Sequence, residues 1–593
     1  MPGFLSLLVA TVVLLAGAVR MGNRLMPASG GASLLCAALL LPVQVVVLTM
    51  VVGGLLHAYE PTPMLVGALV LGAVTWLLAG RIRADVGPHL ELGDTTPQPR
   101  SIVVLSWCFV ALAAVALAWR ALIALVLPPN AYDALAYHLP AIAEWVRNGE
   151  VGTTPLMRDL CCGWYPASGE AWAGWSAVFL HSDRLVGLAQ VWTAVLLGLG
   201  VMVLARTWGA PRAHARLAGS LAVTMPIVVA QADTAYVDVT YAAAIVAALA
   251  FLAVAARAAQ HLVLRASVMC GISIGFAMGV KGTGLVEGLL CAVALVVVLV
   301  VRFRRRALAP IGVATAAALA LALPWYVHAW VGAGTPIEPY ELRVAGLTLF
   351  EGPLSHRELN EAPEQVADLP AVLQPLRSWA EDLRFVSGGF RYGADVRAGG
   401  FGPLFLLGAL PALAWLLVAR AWRGRDLAVA AVLAVAFVAL VLQPYGWWTR
   451  FTIPVGAVGM AAVGCALAAL RPRVATVVAA VALLAALAPL TKVGIGNSDV
   501  VANYGRTQVF SSAPDWLRDR PTSIEAMSPR FDWLSELDER PVVIDRGLNN
   551  RAPYLAIGHS FSREVRYRSV EPAPPSTQVF GANADAKVSP AAG

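Results

Sequence analysis

The sequence predicts an all-α polytopic membrane protein of about fourteen transmembrane helices with a small C-terminal α/β appendage. Three observations carry this. The chain of 593 residues is 59% hydrophobic and only 13% charged, whereas soluble domains carry about 25% charged residues. Its apolar runs repeatedly reach the roughly 17–25 residues that a bilayer-spanning helix needs. Arginines recur in short loops after every second run, the pattern that orients membrane helices. The net charge of +7 is spread through those loops and not gathered on a soluble face, which argues against a nucleic-acid partner.

The spans are read at 4–19, 33–56, 63–80, 101–127, 184–205, 217–231, 239–256, 266–280, 284–301, 307–331, 402–419, 427–443, 450–470 and 474–490. The basic loops hold Arg20/Arg24, Arg81/Arg83/Arg100, Arg206/Arg212/Arg216, Arg257/Arg265, Arg302/Arg304/Arg305/Arg306, Arg420/Arg423/Arg425 and Arg471/Arg473. Their strict alternation places them in the cytoplasm of a multi-pass protein of the inner (plasma) membrane. Both termini then lie outside, as do 128–183, 332–401 and 491–593. The run 171–180 is short and follows Pro166 and Gly169, so it reads as a re-entrant or interfacial helix. The first run has no basic region before it and no A-x-A site after it, and reads as a retained helix.

The chain divides into an N-terminal three-helix extension (1–100), a membrane module (101–490), an extracytoplasmic appendage (491–570) and a tail (571–593). In the appendage PVVID at 541–545 and REVRYRS at 563–569 read as strands, with a short helix between them. The Pro-, Ala- and Ser-rich tail reads as disordered. Of seven cysteines, Cys36, Cys108, Cys270, Cys291 and Cys465 lie in apolar runs and Cys161–Cys162 are adjacent in a loop. No disulfide framework or zinc spacing is expected.

The loop after the fourth span, PPNAYDALAYHLPAIAEWVRNGEVGTTP at 128–155, carries the strongest chemical signal. Leu135, Leu139, Ile142, Ala143 and Val146 fall within about an 80° stripe of a helix. Tyr137, Glu144 and Asn148 lie opposite. This reads as an amphipathic helix on the outer leaflet, short or kinked at Pro140. From spacing alone Asp133 is either its N-cap or a functional carboxylate.

Asp133, Tyr137-His138-Leu139-Pro140, Trp145 and Gly149 together resemble the first outer loop of membrane glycosyltransferases with the GT-C fold. The resemblance points to bacterial phospholipid-carrier-dependent enzymes similar to protein O-mannosyltransferases and aminoarabinose transferases. GFAMGVKGTGLVEG (275–288), GGFGPLFLLGALP (399–411), TRFTIPVGAVGM (449–460) and PYLAIGHSFSREVRYRS (553–569) are similar to later segments of that family, so about residues 101–570 are covered. Two departures are the three spans that precede the module and the single Asp133 where eukaryotic mannosyltransferases carry an Asp-Glu pair. The resemblance implies transfer of a sugar with inversion at the anomeric carbon, and Asp133 as the base.

The chemistry of the residues agrees. No nucleotide-binding loop is present, so the donor would be a sugar on a polyprenyl phosphate. An acceptor hydroxyl, on a glycan, lipid or protein, must lose a proton, which a carboxylate can take. The leaving phosphate needs fixed positive charge. Lys281 and Arg450 are the candidates, with snorkelling to headgroups as the plain alternative. Arg391, Arg397 and Arg158 in the outer loops are further phosphate candidates. Tyr137, His138, Glu144, Asp159, Asp233 and Asp238 are candidates for binding the acceptor or orienting Asp133, with polar turns and structural contacts as their plain reading. Trp447 and Trp448 fit an aromatic belt or a stack on a sugar. No cofactor is called for, and a divalent metal is left open. The competing class is a transporter or lipid-linked-sugar flippase, which would place charges near mid-bilayer between repeated halves.

Overall fold

The computed structural model describes residues 2–27, 29–83, 97–126, 129, 131–159, 162–344, 346–352, 354, 366–370, 373–385, 392–421, 426–442, 448–496, 540–544, 552–558, 560–567, 578–580 and 589–590. α1 (Pro2–Leu25), α2 (Gly30–Leu48), α3 (Pro61–Arg81) and α4 (Arg100–Val126) come first. The first large loop holds α5 (Leu139–Asn148), α6 (Pro155–Asp159), α7 (Ser168–Ala173) and α8 (Trp175–Leu180). Then follow α9 (Leu188–Thr207), α10 (Arg212–Val223), α11 (Pro226–Gln231), α12 (Asp238–Arg257), α13 (Gln260–Val280), α14 (Thr283–Phe303) and α15 (Leu308–Ala333). Past the second large loop lie the apolar helices Phe405–Ala421, Leu427–Leu442 and Ile453–Ala469, then Pro472–Gly496. Among the described residues nine helices are long and apolar enough to cross a membrane, one of them the pair α14–α15 joined through Arg304–Ala307. The chain is a multi-pass membrane protein, and the predicted spans other than 217–231 each fall on helical segments.

The span expected at 217–231 is broken into α10 and α11. Pro226 opens α11, and Met225 before it is extended (φ −56°, ψ 131°), because a residue preceding proline is pushed out of the helical region. Broken backbone is tolerated at membrane depth only where protein satisfies it. Here Ile227 N donates to Gly400 O at 2.8 Å, from the end of the second large loop. That loop is itself pinned: Asp382 accepts from Gly400 N (2.8 Å) and Gly402 N (3.0 Å). Gly400 (φ 102°) and Gly402 (φ 83°) adopt left-handed conformations that favour glycine. The loop end is thus folded into the bundle beside α11.

α12 is the central helix, with 94% of its membrane window buried. α9 and α13 pack along it. At the other end of α12, Arg302 caps its last carbonyls, reaching Ala258 O at 2.9 Å. The N-terminal extension attaches through α2, whose window is 83% buried, while α1 and α3 are only 28% and 22% buried.

In the first large loop the helix 139–148 is not interfacial. Leu139 to Val146 are all buried, Glu144 included. Leu135, Leu139 and Ile142 share one apolar cluster with Trp172, Val178, Tyr554, Leu555 and Ile557. The appendage supplies this cover, where the sequence pattern points to lipid. α7 and α8, six residues each, are too short to cross a bilayer.

In the appendage β3 (Val542–Ile544) and β4 (Val565–Tyr567) pair in parallel around the helix Ala552–Ile557, after the hairpin β1 (Leu342–Val344) and β2 (Leu347–Phe350) of the second loop. The tail is not wholly irregular: β5 (Gln578–Phe580) runs parallel to β3 and β6 (Ser589–Pro590) pairs with β5. An open strand edge accepts even a three-residue β-prone segment. Cys162 is disulfide-bonded, which a sequence with no disulfide framework to read does not announce. Tyr554, fully buried, donates to Asp183 Oδ2 at 2.7 Å and anchors the appendage to the loop after α8.

The alternation of basic loops fixes a test of sidedness. In a cysteine-free background, Arg540→Cys is expected to react with an impermeant thiol reagent from outside and Arg304→Cys only after permeabilisation. Labelling of both from one side would overturn the topology.

Candidate active site

Pro140 shapes the start of the site. A proline inside a helix lacks its N–H and clashes with the carbonyl four residues back. The chain absorbs this with a widened π turn over Ala134–His138, continuous with α5. The turn carries Asp133, Tyr137 and His138 inward. Asp133 is helical (φ −65°, ψ −32°) and its side chain makes no cap hydrogen bond. It accepts instead from the Tyr137 hydroxyl at 2.9 Å and from Arg450 Nη1 at 2.7 Å.

Arg450 is the hub. It sits in the short helix Trp448–Phe451, with only 6% of its side chain exposed. Besides Asp133, Nη1 reaches Asp395 Oδ1 at 2.8 Å and Asp238 Oδ2 at 3.7 Å. Asp238 is the first residue of α12, where a helix N-terminus favours a negative charge. It also pairs with Lys281 and accepts from Gln231 Nε2 at 3.1 Å. Lys281 caps α13 in extended backbone (φ −155°, ψ 147°), and its ammonium lies 3.8 Å from the Phe451 ring centroid. Lys281 and Arg450 are therefore held by carboxylates inside the protein and do not reach for headgroups.

Tyr236 closes the cluster. Its hydroxyl donates to Asp395 Oδ2 at 2.6 Å and accepts from Asp133 N at 3.1 Å. Burial, with the Asp133 and Asp395 carboxylates beside it, holds this phenol well above its ordinary range, so it stays a donor. Burial pushes the Asp395 carboxyl up to about 6, against the opposing pull of Arg450. Behind the cluster His138 Nδ1 meets Glu170 Oε1 at 2.6 Å, and its ring lies 4.2 Å from that of Tyr137. Three carboxylates thus surround two cations, at the end of the bundle that carries the large loops. Charges taken so far out of water persist only when paired this closely.

The structure brings together Asp133, Tyr137, His138, Asp238, Lys281 and Arg450 of the residues singled out by sequence. It does not bring Glu144, which pairs with Arg147 at 2.6 Å. Asp233 pairs with the buried Arg120 of α4, a partner 113 residues away that no local pattern announces. Arg158 is exposed, 5.9 Å from the Trp164 ring centroid, and Arg397 is exposed. Arg391, Trp447 and the side chains of Asp159 and Trp448 lie outside the described residues. The sequence reading passes over Asp395, Tyr236, Gln231 and Glu170. Gln231 and Tyr236 stand within QADTAYVD, and Asp395 four residues before the Gly399-Gly400 pair that turns its loop inward. Among the described residues no three His, Cys, Asp or Glu side chains are grouped to hold a metal ion.

A membrane-embedded helical bundle with one charged cluster at its loop-bearing end is the class of protein defined so far. No family model matches the chain, and no curated protein matches it. Among solved structures it is similar to ArnT from Cupriavidus metallidurans bound to undecaprenyl phosphate, at 17% identity and a TM-score of 0.47, over 76% of this chain and 84% of that one. It is also similar to the Archaeoglobus fulgidus oligosaccharyltransferase in its apo form, at 14% identity and a TM-score of 0.42, over 77% of this chain and 64% of that one.

Proposed function

We propose that the chain is a membrane glycosyltransferase that moves a sugar from a polyprenyl-phosphate donor to an acceptor hydroxyl on the extracytoplasmic face. The observation that carries this reading is the convergence of Asp133, Asp238, Lys281 and Arg450 within one ion-paired cluster. Each stands at or beside a helix end: Asp133 ahead of α5, Asp238 at the start of α12, Lys281 at the end of α13, Arg450 ahead of Ile453–Ala469. A transporter would place such groups near mid-bilayer. A lipid-linked donor presents its phosphate at headgroup depth, where helix ends lie.

In this reading the acceptor oxygen attacks the anomeric carbon as the bond from that carbon to the phosphate oxygen breaks, with its electron pair leaving on the phosphate. Asp133 takes the acceptor's proton. Arg450 and Lys281 stabilise the charge that develops on the phosphate, in a site too dry for water to do so. Arg450 Nη1 now sits on Asp133 Oδ2. A phosphate that draws Arg450 toward itself frees Asp133 Oδ2 for the acceptor's proton. Attack from the side opposite the leaving phosphate gives inversion. The test is a transfer assay in membranes with a panel of polyprenyl-phosphate sugars: labelled product from one donor is expected, and no product from any, with the protein folded and inserted, would overturn the reading.

A further inference from the structure

Resting on the donor-phosphate reading above, we infer that Asp395 is a stand-in for that phosphate: its carboxylate competes with the donor for Arg450 Nη1 and the Tyr236 hydroxyl. The first ground is shape. Asp395 places one oxygen on each of two donors, Oδ1 on Arg450 at 2.8 Å and Oδ2 on Tyr236 at 2.6 Å. Two oxygens of a phosphate span a similar distance and accept the same charge-assisted hydrogen bonds.

The second ground is charge. Asp133, Asp238 and Asp395 already outnumber Lys281 and Arg450. A phosphate entering beside all three carboxylates would deepen the negative excess in a low-dielectric site. One carboxylate must therefore give way.

The third ground says which one. Asp133 and Asp238 belong to helices, and their side chains are 15% and 3% exposed. Asp395 lies in a turn of the second large loop and is 34% exposed. Moving it into water costs least, because it is the most exposed of the three. The groups facing it are Arg450, Asp133, Tyr236 and Asp238; burial outweighs Arg450 there, so Asp395 holds its charge less firmly than an ordinary aspartate. Tyr236, protonated and fixed by the backbone N–H of Asp133, then becomes a phosphate donor alongside Arg450.

The experiment measures binding of farnesyl phosphate to the full chain in nanodiscs, for wild type, Asp395→Asn, Tyr236→Phe and the double variant. Asp395→Asn is expected to bind about tenfold more tightly, since a competing charged acceptor is gone. Tyr236→Phe is expected to bind several-fold more weakly. The two effects must couple: the loss from Tyr236→Phe should be larger in the Asp395→Asn background, where only a neutral amide oxygen contends with the phosphate for the hydroxyl. A tighter Asp395→Asn with strictly additive effects would mean charge acting through space, and would overturn the shared seat. Equal or weaker binding by Asp395→Asn, with wild type binding well, overturns it too and leaves the donor reading standing. No binding by any chain overturns both. Asp395→Ser takes the place of the Asn variant if that fails to fold.

Discussion

Asp133→Asn is expected to bind donor yet lose roughly 10²–10⁴-fold in transfer rate, the usual contribution of a positioned base. Its side chain caps no helix N–H, so the substitution does not act through helix stability. An asparagine oxygen still accepts from Arg450 and from Tyr137, the two partners of Asp133 Oδ2. What it lacks is the capacity to take a proton at working pH. Single-turnover transfer by purified protein, with donor binding measured alongside, separates the two properties. An Asn variant that transfers at the wild-type rate would end the role of Asp133 as base.

Arg450→Ala is expected to lower kcat/KM by about 10²-fold or more, the effect of removing one preorganised donor from a developing anion. It should also destabilise the protein, by about 3–5 kcal/mol if the buried carboxylates stay charged, because Asp133, Asp395 and Asp238 all face Nη1. Arg450→Lys isolates the two effects. A lysine keeps the charge but presents a point and not a planar fork. It should recover much of the melting temperature and little of the rate. Lys281→Ala should act in the same direction through loss of its pair with Asp238. Unchanged kinetics in well-folded Arg450→Ala would remove the phosphate role.

The membrane architecture was legible because hydropathy and arginine spacing are local properties. Each span could be read within its own window, and only 217–231 came out broken, at a proline whose consequence depended on Gly400 being there to accept Ile227 N. The strands at 542–544 and 565–567 were legible for the same reason. In the site, Asp133 and Arg450 could be singled out separately, but their 2.7 Å contact spans 317 residues and no periodicity encodes it. Glu144 and Asp233 looked as suitable as Asp238. What separates them is the partner each finds: Arg147 one turn away, Arg120 on α4, Lys281 at the adjoining end of α13. Asp395 escaped because it lies in an irregular loop, where the backbone path is set by Asp382 and two left-handed glycines and not by a pattern.

The docking of the appendage sets the order in which the molecule can be completed. Tyr554 meets Asp183 across 371 residues. Its neighbours Leu555 and Ile557 cover the apolar face of the stretch that bears Asp133. A chain is made from its N-terminus, and domains fold as they emerge. The segment that carries Asp133 is therefore made long before the appendage residues that cover it. A ribosome that stops before residue 552 leaves that face bare to lipid and solvent. The appendage thus works as a latch: a copy that lacks it keeps its helices but not the cover over the segment that bears Asp133.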